Sequence, residues 1–291
     1  MKKVLSVSLG SSKRDSDSIL SLGGTEIQLS RRGTDGDLRR ARQLFLDFDG
    51  QVDAFGLGGT DLRVRAGGRD YYFRESLALI RGLHTPVVDG SGLKDSLERR
   101  LIISLGAGGR LRGRRVLMMC ASDRFGMAEA LQEQGAETVY GDLLFGLGVP
   151  VALRSLNRLA FWIRMLAPLY TRLPVRFLYP MGAEQEQRSP KGEKYFRQAD
   201  IIAGDFHYIR KFMPEHLGSK TVITNTVTAA DREFLHRAGV EKLLTTTPNL
   251  EGRSYGTNVL EAALVAYAGA DRALHTAEYI RLIDRFNLIE I

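Results

Sequence analysis

The apolar positions of this chain alternate between two spacings. Lys3–Leu9, Thr25–Ser30, Val52–Leu57 and Thr85–Asp89 read as strands. Leu38, Ala41, Leu44 and Phe45 fall at helical spacing and predict a helix over Asp37–Asp47. A second helix is predicted over Glu75–Leu83. Leu62–Phe73 carries Ala-Gly-Gly between two alternating runs, the pattern of a hairpin. From Arg115 the chain reads strand Arg115–Cys120, turn Ala121–Gly126, helix Met127–Gln134 stopped by Gly135, and strand Glu137–Tyr140 closing on Gly141-Asp142. That is one βαβ unit, the opening of a Rossmann-type half. Strands at Ile201–Ala203, Thr221–Thr224 and Lys242–Thr246 follow, with helices over Ala230–Arg237, Gly256–Ala268 and Leu274–Phe286. Strand–helix alternation predicts an α/β protein with mostly parallel sheets and helices over their faces.

At 291 residues the chain exceeds one compact core and suits two domains. The predicted division is an N-terminal α/β domain over 1–108, a Rossmann-like domain over 109–270 with an insertion at about 143–195, and a C-terminal helix over 271–291. The helix Lys94–Leu105 leads out of the first domain. Gly106–Gly113 is glycine-rich, but it precedes a strand instead of following one, so it reads as a linker and not as a phosphate loop.

Within the insertion, Leu143–Met181 contains no Asp or Glu. Arg154, Arg158, Arg164, Arg172 and Arg176 are interleaved with leucines, Trp162 and Ile163, and helical spacing gathers the apolar set into one broad stripe that Pro168 kinks or ends. Three readings stay open: core or subunit-interface packing, a cover over a pocket for an apolar substrate, or a membrane-surface helix whose arginines meet anionic headgroups. Residues 151–178 are the expected contact for a membrane or a second copy.

Composition narrows the class. Hydrophobic residues make up 44% and charged residues 26%, a globular balance. The single cysteine, Cys120, forms no internal disulfide, and with no signal-peptide core in MKKVLSVSLGSSKRD the expectation is cytoplasmic. The net charge of +7 suits acidic partners, or reflects an arginine-rich host. No zinc-finger spacing, RNA-binding aromatic signature or basic block occurs, so nucleic acid is not expected. Five scattered histidines lack ligand spacing, so no metal is expected.

Two stretches together resemble a known family. Val87-Val-Asp-Gly-Ser-Gly-Leu-Lys-Asp-Ser-Leu97 is similar to the N-T-D-G-x-G-x-x-x-x-L segment of the shikimate and quinate dehydrogenases, and Leu111-Arg-Gly-Arg-Arg-Val-Leu-Met-Met119 to their L-x-G-K-x-V-L-V-L strand. Gly256-Thr-Asn-Val-Leu-Glu-Ala-Ala263 resembles their G-M-L-V-x-Q-A-A helix. The resemblance implies an NAD(P)-dependent oxidoreductase acting on a hydroxyl of a small or partly apolar alcohol, with Asp89 at the catalytic site. Read from its own position, Asp89 ends a strand and begins a helix. It is suited either to a substrate hydroxyl or to a cap at the helix start.

Departures from the family are as informative. Phe55–Arg65 occupies the place of the family's N-V-T-x-P-x-K strand and has no lysine; Thr60 and Asp61 there are candidate substrate contacts. Lys94 is a candidate substitute for that lysine, or a solvated surface residue. Glu261 stands where the family has a substrate-binding glutamine. The family's G-A-G-G-A-A loop is replaced by Cys120-Ala-Ser-Asp-Arg-Phe-Gly126. Ala121, Ser122, Asp123, Arg124, Phe125 and Gly126 are the expected cofactor wall, with Arg124 on a phosphate. Asp142 is placed for a ribose hydroxyl, which favours NAD over NADP.

Other strand ends add candidates. Ser11, Ser12, Lys13 and Arg14 follow the first strand and suit a carboxylate or phosphate. Asp205, His207 and Tyr208 follow a later strand and suit acid–base work. Asn225 and Thr226 sit on the cofactor side, and Tyr255 precedes the last Rossmann helix. The alternative to the enzyme is a non-catalytic Rossmann-like protein that binds a ligand, a membrane or a partner.

Overall fold

The computed structural model describes residues 1–66, 68–178, 188–250 and 253–289. The first lobe runs β1 (Lys2–Ser8), β2 (Ser16–Leu22), β3 (Thr25–Gly33), α1 (Leu38–Phe48), β4 (Ala54–Gly58), β5 (Arg63–Ala66), β6 (Arg69–Tyr72), α2 (Arg74–Ile80) and β7 (Val87–Val88). Its sheet has the order β2-β3-β1-β4-β7. β2 is antiparallel to β3; the remaining pairs are parallel. The sequence reading missed β2. It is a sheet-edge strand whose polar start, Ser16-Asp17-Ser18, is largely exposed, so it carries only a short apolar alternation.

A helical run then crosses to the second lobe: α3 (Ser91–Leu93), a π turn over Lys94–Glu98, and α4 (Arg99–Gly106). The second lobe continues with β8 (Arg115–Met118), α5 (Phe125–Glu133), β9 (Glu137–Tyr140), α6 (Leu156–Tyr170), α7 (Val175–Leu178), α8 (Glu193–Gln198), β10 (Ile201–Gly204), α9 (Phe206–Phe212), β11 (Lys220–Thr224), α10 (Ala229–Arg237) and β12 (Val240–Thr245). The hairpin of β13 (Asn249–Leu250) and β14 (Arg253–Ser254) leads to α11 (Thr257–Ala268) and α12 (Thr276–Arg285). The second sheet is wholly parallel in the order β12-β11-β10-β8-β9. Two readings fall partly outside the described residues: Gly67 of the hairpin and residues 179–181 of the arginine-rich segment.

Strand alternation feeds four cores. In the first sheet, Val4 and Ala54 face α11 and α12, while Leu5, Val7, Phe55 and Leu57 face α1 and α2. In the second, Val116, Met118, Ile201 and Ala203 face α4, α5 and α6, while Leu117, Met119 and Ile202 face α8 and α9. Both sheets are covered on both faces, which is why their strands read as apolar runs. Helix α11 was grouped by the sequence with the second sheet. It packs instead on β1, β3 and β4 of the first, because Leu260, Ala263 and Leu264 meet Val4, Leu29 and Ala54 there.

The strand order sets the site. Between β8 and β10 the winding reverses, which opens a crevice at the carboxyl ends of those strands. The loops following β1 and β4 of the first sheet meet the same opening.

Candidate functional site

A cleft of about 630 Å³ lies between the two lobes. One wall comes from the ends of β1 and β4 and the start of α3. The other comes from the loops after β8, β10 and β11 and the segment entering α11. Tyr170, from the end of α6, is packed edge-on against Phe73 and adds a side. It is the insertion's contribution to the lining.

At the base of the cleft is a charged knot. Lys94 is only 8% exposed, not a surface lysine. Its ammonium donates to Asp61 Oδ1 at 2.7 Å and to Asp123 Oδ1. The π turn makes this possible: Lys94 and Glu98, four residues apart, lie on one helical face turned toward the loop after β8. Burial alone would lower the Lys94 pKa, but Asp123 and Asp61 push it up, so the amine stays charged. Burial, together with the negative charges of Asp123 and Asp89, pushes Asp61 up to about 7. Asp123 is also buried, yet Lys94 and Arg124 hold it down at about 2. The knot thus pairs a permanent cation with one carboxyl that titrates near neutrality. Beside it, the Thr60 hydroxyl lies 2.9 Å from that of Ser76.

Asp89 lines the cleft, but its oxygens are occupied. Oδ2 accepts from the Leu62 amide at 2.5 Å and Oδ1 from the Ser91 amide at 2.9 Å. The structure therefore gives Asp89 the helix-start role, with Gly90 at φ 95° completing the turn. Glu261, expected on substrate, lies outside the cleft. Its Oε1 accepts from the Tyr279 hydroxyl at 2.6 Å and from the Gly92 amide at 3.2 Å, and a Cβ at position 92 would run into both side chains. Burial and the charge of Asp89 push Glu261 up to about 8.

The turn after β8 differs most from expectation. Asp142 does not reach toward a ribose. It is buried beneath the turn, where its oxygens accept the amides of Ala121 at 3.0 Å and Ser122 at 2.7 Å. Those amides are the donors a pyrophosphate would use at this place. Arg124 is 2% exposed and fixed between Glu98 and Asp205, so it is not available to a phosphate. Phe125 and Ala121 point into the core, and Gly126 lets α5 approach the backbone of Asp95. Only Ser122, Asp123, Arg124 and the partly buried Cys120 face the cleft from this turn. The ordinary pyrophosphate seat of a dinucleotide is filled by the protein's own carboxylate, and the residues there do not fit that group.

The far wall is a second polar network. Asp205 caps α9 through the His207 amide at 2.9 Å and accepts from Asn225 Nδ2 at 2.7 Å. Thr226 donates to the Tyr255 carbonyl at 2.9 Å. Burial lowers the His207 pKa, and the ring touches the Arg14 guanidinium at 3.3 Å, a contact between the lobes. Lys13 and Arg14 line the basic end of the cleft. Ser11 and Ser12 do not: Ser11 caps its own short turn through the Lys13 amide, and the Ser12 amide donates to Asp35.

Sequence reasoning passed over Glu98, Tyr170 and Asn258. Glu98 was detectable as the partner four residues after Lys94. Asn258, whose Nδ2 donates to Ser6 Oγ at 2.8 Å where α11 packs on β1, carried no signal.

The fold and cleft define a two-lobe α/β protein with a cleft between its lobes. The chain belongs to the family described as "Domain of unknown function (DUF8754)", matched over residues 92–289, and residues 3–89 match "Domain of unknown function (DUF8753)". No curated protein matches it. Among solved structures it is similar to the NAD-dependent malic enzyme of Thermotoga maritima, at 12% identity and a TM-score of 0.33 over 98% of this chain and 84% of that one. It is similar to the malic enzyme of Entamoeba histolytica at 12% identity and a TM-score of 0.44, over 96% of this chain and 60% of that one. It is also similar to a periplasmic sugar-binding protein of Legionella pneumophila, at 10% identity and a TM-score of 0.35 over 100% and 97%.

Proposed function

We propose that this protein is an oxidoreductase acting on a hydroxyl group of a small polar molecule held between the lobes. The observation that carries the reading is the buried Asp61–Lys94–Asp123 knot on the cleft wall. A substrate hydroxyl beside Asp61 would pass its proton to that carboxylate, while the Lys94 ammonium, which stays charged, stabilises the oxygen left behind. Lys13 and Arg14 at the other end suit a carboxylate or phosphate on the same molecule. Oxidation also needs an acceptor for two electrons, and a doubly wound sheet is the usual support for a nicotinamide dinucleotide. Because Asp142 fills the seat at Ala121 and Ser122, such a cofactor would be held by the rest of the crevice wall, Asn225 and Thr226 included.

The test is titration with NADH and NADPH, followed by dehydrogenation assays on small hydroxy acids and polyols. Binding of one dinucleotide is expected, with a rate of alcohol oxidation that rises with pH through about 7 as Asp61 ionises. Loss of that rising limb in Asp61→Asn, with cofactor binding kept, would support the assignment. No binding of either dinucleotide at about millimolar concentration, the weak end of specific recognition, would sink it. Asp142 favours one second reading, a ligand-binding protein without a dinucleotide; the same null titration, with a small-molecule ligand still stabilising the fold, would establish that reading instead.

A further inference from the structure

Of the fifteen large apolar side chains exposed among the described residues, eight lie between residues 147 and 173. Helix α6 carries four of the eight. It buries Leu159, Ala160, Ile163 and Ala167 against the second lobe. On the opposite face Phe161, Met165 and Leu169, at four-residue spacing, are 57%, 62% and 66% exposed, with Trp162 beside them. Arg154, Arg158, Arg164 and Arg172 are exposed around this face, and the stretch Leu143–Met181 supplies no carboxylate to pair with them.

We propose that this face of α6 docks on an anionic membrane surface. The apolar side chains enter the boundary between headgroups and acyl chains, and the arginines bind lipid phosphates. Charge selects this partner over a second copy of the chain. A two-fold interface would set the same arginines against each other, with no carboxylate from the segment to separate them. A nucleic acid would satisfy the arginines but offer nothing to the apolar row. The helix is too short to cross a bilayer, and among the described residues no helix is long and apolar enough to do so; α6 would lie in the surface plane. This inference does not depend on the chemistry of the cleft.

The chain contains one tryptophan, Trp162, and it sits on the proposed face, so its fluorescence reports docking directly. The full chain is mixed with phosphatidylcholine vesicles, with and without about 30% phosphatidylserine, the anionic range over which basic residues gain surface attraction. The expected result is a blue-shifted emission and co-sedimentation with the anionic vesicles, much weaker with phosphatidylcholine alone. Arg158→Gln/Arg164→Gln/Arg172→Gln should weaken binding roughly 100-fold, at about fivefold per arginine. Met165→Ser/Leu169→Ser should abolish co-sedimentation with an unchanged melting temperature, since both side chains face solvent. No shift and no sedimentation with anionic vesicles overturns the proposal, as does equal binding to neutral vesicles. A stable dimer by light scattering that Met165→Glu dissociates would assign the face to a second copy and equally overturn it.

Discussion

Glu261 offers a direct measurement of what a buried carboxyl costs where α11 and α12 pack against α3. It is 2% exposed, it accepts from Tyr279 and Gly92 through one oxygen, and the other, Oε2, has no partner among the described residues. Its pKa rises from the ordinary 4.5 to about 8. A carboxyl raised on folding binds its proton more tightly in the folded state. Below pH 4.5 both states are protonated and the contribution is fully present; between 4.5 and 8 it falls as pH rises; above 8 it is gone. At about 1.4 kcal/mol per pH unit across that interval the ceiling is about 5 kcal/mol, and water reaching the ionised carboxylate brings the expectation to about 2–4 kcal/mol. Glu261→Gln keeps the shape and the accepting Oε1 but cannot ionise. Urea unfolding at pH 5, 7 and 9 should show the variant within about 1 kcal/mol of wild type at pH 5 and more stable by about 2–4 kcal/mol at pH 9. Wild-type and variant curves that stay parallel across this range would refute the buried, protonated glutamate.

The other predictions concern the knot and the turn. Lys94→Met leaves Asp61 and Asp123 facing each other; it should destabilise the fold by about 3–5 kcal/mol by chemical denaturation, and Lys94→Met/Asp123→Asn should recover part of the loss. Glu98→Ala leaves the buried guanidinium of Arg124 without its main partner and should also cost about 3–5 kcal/mol, whereas Glu98→Gln should cost less. Asp142→Asn removes an acceptor from one of two buried amides and should cost about 1–3 kcal/mol, with NADH affinity changed less than about threefold by fluorescence titration. A gain in NADH affinity above about tenfold would show that the seat is used after all.

The strands of both sheets and most helices were legible because both faces of each sheet are covered, so apolar runs had one reading. The edge strand β2 was not, since half its surface meets water and its composition is that of a loop. The place of α11 was also hidden. Its sequence is apolar on nearly every side, a pattern that specifies deep burial but not the sheet that buries it.

The site was legible as a neighbourhood, and its chemistry changed once partners were known. Strand ends brought Asp61, Asp89, Asp123, Asp205, His207 and Asn225 to one cleft, as their order along an α/β chain implies. What spacing along the sequence could not show is which carboxylates are already committed to the backbone. Asp89 and Asp142 each accept two amides, so the two acids read first as substrate and cofactor ligands hold the turns that shape the cleft. Asp61 and Asp123 share instead a buried ammonium; burial and the charge of Asp123 push Asp61 up to about 7 against the pull of Lys94, while Lys94 and Arg124 hold Asp123 at about 2. The difference between the two kinds of aspartate here is the identity of their donors: Asp89 and Asp142 take backbone amides and hold turns, whereas Asp61 and Asp123 share one lysine on the cleft wall.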